Sequence, residues 1–170
     1  SFSRDFIKGI AWYEKTKDDI DKNRKVLRHT FLSMYHQLIA LCYVHLRQYE
    51  DALKHLRIVL DEVDDKQRQD SFLYSHLLHI ITHFELKNYE LLPYLIKSVK
   101  RFSQSRGFKQ ESVNLFLKMF GELARKNTKQ DIQKILLHYQ PQFIELNKLN
   151  SDTVIMGTID LEGWMDYHLK

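Results

Sequence analysis

The sequence predicts an all-α fold, an α-solenoid built from antiparallel helix pairs. Four observations carry that prediction. Apolar residues recur at helical spacing: in His36–Leu60 they fall at Ile39, Ala40, Tyr43 and Leu46, then at Ala52, Leu53, Leu56, Val59 and Leu60. Only the polar Arg47–Asp51 separates these two runs, so the helices must fold back on each other. Helix breakers are scarce, with five Gly and two Pro in 170 residues. Finally, the chain lines up with itself at a step of about 40 residues, the mark of stacked supersecondary units.

Taken in order, residues 3–21 read as a helix with Phe6, Ile10, Tyr13 and Ile20 on one side, weakened by Gly9. A long helix is expected over 23–47, burying Leu27, Phe31, Leu32, Tyr35, Ile39, Cys42 and Leu46. The next covers 50–63 and ends in the acidic 61–65. A fourth, 68–86, is apolar nearly all round and should be covered on more than one side. The fifth, 89–105, has Pro93 in its first turn, where a missing N–H costs least, and Gly107 as its stop. Residues 109–126 form the sixth. Thr128 and Asp131 cap a seventh that Pro141 should kink or split. A loop at 149–158 leads to a short capping helix at 160–169.

The repeat is explicit in the residues. Val44–Ala52 aligns with Phe84–Leu92 and, more weakly, with Ala124–Ile132. Buried positions step likewise: Ala40, Ile80, Phe120; Leu56, Ile96, Leu136; Val59, Val99, Tyr139. The units are 23–63, 68–105 and 109–148 in one domain over 1–170. Trp12 stands 40 residues before Ala52, so helix 3–21 is expected to be the second helix of an earlier unit, making the chain part of a longer array.

The first unit resembles the tetratricopeptide repeat. Ala40, Tyr43, Tyr49, Ala52 and Leu60 stand where that motif has its small residue, first aromatic, turn aromatic, alanine and late apolar residue. The second unit keeps Tyr89 but has Leu92 for the alanine, and the third has Lys129 for the turn tyrosine. The period exceeds the family's about 34 residues, so the chain is tetratricopeptide-like. Phe84–Phe102 and the Trp164 segment are also similar to a group of uncharacterised bacterial helical-repeat proteins. The resemblance implies a right-handed superhelix that binds a protein or peptide on its concave face, lined by the first helix of each pair. Carried over by position, that face holds Met34, Gln37, Leu41, Val44, His45, Tyr74, Leu77, Leu78, Ile81 and Glu85. The third pair adds Asn114, Lys118 and Arg125 as a basic rim, suiting an acidic, amphipathic ligand.

Composition narrows the function further. Hydrophobic residues at 44% and charged residues at 28% are ordinary for a globular domain. No apolar run approaches the about 18 residues that cross a bilayer, and no signal peptide is visible, so no membrane association is expected. The single Cys42 can form no internal disulfide, and a reducing, cytoplasmic setting follows.

His76, His79 and His83 lie at i, i+3, i+7 and could face zinc, but no Cys, Asp or Glu accompanies them at ligand spacing; packed imidazoles are the expected state, with no metal or cofactor. Residues 91–144 carry ten basic against three acidic side chains, including Lys97, Lys100, Arg101, Arg106, Lys109, Lys118, Arg125, Lys126, Lys129 and Lys134. A nucleic-acid surface over 97–134 is the alternative function. It ranks behind a solvated face or a complement to an acidic partner, because Phe102 and Phe108 occupy packing positions and no nucleic-acid motif is present. No serine elbow, phosphate loop or catalytic carboxylate pair occurs, and no enzymatic activity is expected.

Overall fold

In a computed structural model the described residues are 2–62, 69–105, 111–148 and 159–170. Helices account for nearly all of them, and there are no strands among them. The elements are α1 (Phe2–Asn23), α2 (His29–His45), α3 (Tyr49–Glu62), α4 (Gln69–Glu85), a 3-10 turn (Tyr89–Leu91), α5 (Leu92–Ser105), α6 (Glu111–Arg125), α7 (Lys129–Lys148) and α8 (Leu161–Leu169). The expected stop at Gly107, the acidic connection 63–65 and the loop 149–158 lie outside the described residues, as do Arg106, Phe108 and Lys109. No helix among the described residues is long and apolar enough to cross a membrane. The chain divides into two compact units, Ser1–Leu86 and Lys87–Lys170.

In the first unit α1 packs on α2, α2 on α3, and α4 on both α2 and α3. The core comprises Leu32, Tyr35, Ile39, Ala40 and Tyr43 of α2, Ala52, Leu56 and Val59 of α3, and Leu73, Leu77, Ile80, Ile81 and Phe84 of α4. Ala52 is fully buried, so its methyl sets how closely the backbones approach. The long second helix expected from residue 23 begins instead at His29. Lys22–Lys25 supply only polar side chains, turn hydrogen bonds run from Arg24 N to Asp21 O and from Val26 N to Asn23 O, and Arg28 is extended (φ −66°, ψ 138°). Helix α2 ends in a Schellman turn: Gln48 N–H donates to Tyr43 O, Arg47 N–H donates to Val44 O, and Arg47 takes a left-handed φ of 59°.

In the second unit α5 packs on α6, α6 on α7, and α7 on α8. Pro93 lies in the first turn of α5, one residue after a 3-10 turn that replaces the expected helical start at 89. The N-terminus of α7 is held by Thr128, whose hydroxyl accepts from Asp131 N–H at 3.2 Å and donates to the Asp131 carboxylate at 2.6 Å. Contrary to the expected split, α7 continues through Pro141 to Lys148. Pro141 is exposed, where water can replace the lost N–H, and Gln142 Nε2 donates to the nearby His138 carbonyl at 3.0 Å. Tyr139 is buried with its hydroxyl donating to Glu122 Oε1 at 2.6 Å.

The last helix starts at Asp160, left-handed (φ 51°), whose carboxylate accepts from Gly163 N–H at 3.2 Å. Leu161 and Met165 are fully buried, and the Trp164 ring lies 5.3 Å from that of Phe120. Gln140 Nε2 donates to Asp166 Oδ1 at 2.7 Å. This helix therefore completes the core of the second unit.

Candidate functional site

Helix α2 carries more apolar residues than one buried stripe can use. Tyr35, Ile39 and Tyr43 turn inward, whereas Phe31, Met34, Leu38 and Leu41, at i, i+3, i+7 and i+10, form a second stripe down its side. Helix α1 runs beside that stripe, and the two define a groove of about 410 Å³ lined by Phe6, Gly9, Trp12, Phe31, Met34, Leu38, Leu41 and Cys42, over Tyr35 and Ile39. Trp12, Phe31, Met34 and Leu38 remain between 42% and 57% exposed. Asp5 is the one charged side chain in the lining among the described residues.

Gly9 explains how α1 comes so near: a β-carbon there would lie 2.8 Å from Cys42 Sγ. Aromatic contacts brace the groove, with Tyr35 meeting Trp12 edge-on at 5.7 Å and stacking on Phe31 at 6.2 Å. Phe6 stacks on His45 at 4.1 Å. Burial pushes the Cys42 thiol above its ordinary range, so it is a poor nucleophile.

Of the residues expected on a concave face, Met34 and Leu41 line this groove. Gln37, His45, Tyr74 and Glu85 are half-buried. Val44, Leu77, Leu78 and Ile81 are buried in the core. Helix α4 packs against α2 and α3 at once, which buries Leu77, Leu78 and Ile81. Asn114 and Lys118 are exposed along a different groove, of about 640 Å³, between α6 and α7, where Leu115, Pro141 and Leu146 make the floor and Glu111 and Glu145 stand at the sides. Arg125 is exposed at the end of α6. Trp12, Phe31 and Leu38 were not expected at the surface. The 31/34/38/41 spacing was the available signal, but it overlaps the buried series, and Phe31 reads equally well as core.

The histidines form contacts with one another. His36 Nδ1 and His55 Nδ1 are 2.9 Å apart and buried between α2 and α3, one ring donating and the other accepting. Tyr13 meets His55 edge-on at 5.0 Å, and Tyr43 stacks on it at 5.6 Å. On α4, His79 Nε2 lies 3.0 Å from His83 Nε2, while His76 packs against Phe72. The trio His76, His79 and His83 does not assemble as a metal site: among the described residues no group of three or more His, Cys, Asp or Glu could hold an ion. Burial pushes His36, His55 and His76 down to about 4 and His79 to about 3, so all four are neutral at physiological pH. No family model matches this chain, and no curated protein or solved structure is significantly similar to it.

Proposed function

We propose that this chain is a protein-interaction module, a tetratricopeptide-like right-handed solenoid that takes an amphipathic helix of a partner protein into the groove between α1 and α2. One observation carries the reading: four large apolar side chains stay about half exposed around a single concave, nearly uncharged surface. Scattered exposed apolar residues are ordinary, but a contiguous set marks a binding surface. The stripe at i, i+3, i+7 and i+10 is the register in which one helix receives another. Among the described residues Asp5 alone gives charge to the lining and the rest is apolar, so apolar shape is the main basis of selectivity.

Two features support the repeat reading. All nine positions that step by 40, from Ala40, Ile80 and Phe120 to Val59, Val99 and Tyr139, are buried. Arg47 and Lys87, 40 residues apart and just past the ends of α2 and α4, both adopt left-handed φ, 59° and 60°.

A display selection of random peptides against the intact chain tests the proposal. Enriched sequences are expected to carry apolar residues at i, i+3 or i+4, and i+7. Leu38→Asp should weaken their binding by at least about tenfold, since burying or losing such a side chain is worth about 1.5–3 kcal/mol. Peptides that bind wild type and the equally stable Leu38→Asp variant alike would refute it.

A further inference from the structure

Three lysines of the first unit are neutralised locally. Lys8, Lys17 and Lys54 each have a carboxylate three residues before them, Asp5 at 3.8 Å, Glu14 at 2.6 Å and Asp51 at 2.7 Å. Helix α5 is built differently. Lys97, Lys100 and Arg101 are all exposed, the helix contains no acidic residue, and no ion pair forms to any of the three among the described residues. Tyr94 is 73% exposed. It precedes Lys97 by three residues and Arg101 by seven, so ring and cations share one helical face, with about 6 Å of rise between Lys97 and Arg101.

We propose that this exposed face of α5 binds single-stranded nucleic acid, the cations meeting phosphates while a base stacks on the Tyr94 ring. A lipid surface fits less well. The apolar face of α5, Leu92, Ile96 and Val99, is buried in the second unit and has nothing to insert into a bilayer. An acidic peptide would satisfy the charges but gives the projecting ring no part to play. A base has a π-face and needs no sequence-specific contact, which suits an aromatic platform beside mobile cations. Phe102 of the same helix is half-buried, so the exposed Tyr94 is the ring that offers its face. The site belongs to a different compact unit from the α1/α2 groove and does not depend on the reading of it.

Fluorescence anisotropy of a labelled oligothymidylate of about 16 nucleotides, the upper site size for one such platform, provides the test. The intact chain should bind at low salt. Three phosphate contacts give a slope of log K against log salt of about −2, at about −0.7 each. Lys97→Gln with Arg101→Gln should flatten that slope to about −0.7 and weaken binding. Tyr94→Ala should lose about five- to hundredfold at an unchanged slope, and Tyr94→Phe should restore affinity. Leu38→Asp should bind the oligonucleotide as wild type does, separating this site from the groove.

The proposal is overturned by absence of binding at low salt, by an unaltered slope in the double variant, or by a Tyr94→Ala protein of full affinity. It is also overturned if polyglutamate or phosphatidylserine vesicles compete equally well against wild type and Tyr94→Ala. Thermal melts of each variant confirm folding, and Tyr94→Phe keeps the test decisive should Tyr94→Ala melt early.

Discussion

At Gly9 the usual sign of a helix substitution should reverse. Alanine in place of a helical glycine ordinarily stabilises by about 0.5–1 kcal/mol. Here its methyl would press on Cys42 Sγ at 2.8 Å, and something must move. Gly9→Ala is therefore expected to destabilise the wild-type chain. In a Cys42→Ala background, where the next atom is the β-carbon at 4.0 Å, it should instead stabilise by about the ordinary amount. Urea midpoints of the four proteins close the cycle, and additive changes would remove the contact from the account. In the sequence Gly9 reads only as a weak point of its helix and Cys42 only as inert packing. Their pairing depends on how two helices cross, and nothing local encodes that.

The helices α2 and α3 carry a pH dependence in the His36–His55 pair. The groups facing the pair are Tyr13, Tyr43, Arg24, Asp21, Asp51 and Lys54; burial is the main cause of the depressed His36 and His55, reinforced by the Arg24 cation at His36 and by His36 itself at His55. Folded values of about 4 lie below the ordinary 6.5, so between those limits the unfolded chain takes up protons that the folded one refuses. Stability is then full above about pH 6.5 and falls as pH drops toward 4, by on the order of 3 kcal/mol for this coupled pair. Urea unfolding at pH 7, 5.5 and 4.5 should show the loss, and His55→Gln should reduce it, leaving the part that the depressed His76 and His79 carry. A wild-type curve that does not change with pH would dismiss the pair as its source. Element identity was readable from the helical spacing of apolar residues and the scarcity of breakers, and helices fill nearly all of the described residues. Boundaries were less so. Residues 23–28 have helix-compatible composition, but Val26 is exposed and Leu27 only half-buried, and Pro141 sits on the exposed side, where a helix tolerates it.

For the molecule as a whole, the two tryptophans are placed one to each compact unit, Trp12 in the first and Trp164 in the second. Chains keeping only Trp12 or only Trp164 thus report on the units separately. Acid should shift the Trp12 emission first, because the buried imidazoles belong to its unit. Ending the chain after Asn150 removes the buried Ile159, Leu161 and Met165, and Trp164 from its place against Phe120. In that truncated chain the second unit should lose several kcal/mol, given about 2–5 kcal/mol for a single large core deletion, and calorimetry should show its transition moved to lower temperature. A truncated chain that melts as wild type would mean that α8 is an adherent tail, not a cap. The burial of the apolar 161–165 segment was legible in the sequence. The groove was not, because its outward stripe and the inward one share a helix and differ only by rotation.

The lining of the groove contains the chain's sole thiol. A maleimide or haloacetamide therefore has one place to react, slowly, because burial disfavours the thiolate. A helix seated over Met34, Leu38 and Leu41 would slow that alkylation in proportion to the fraction of chain it occupies. Labelling rate thus becomes a concentration-resolved occupancy assay for any candidate ligand, with no tag or fluorophore placed in the site.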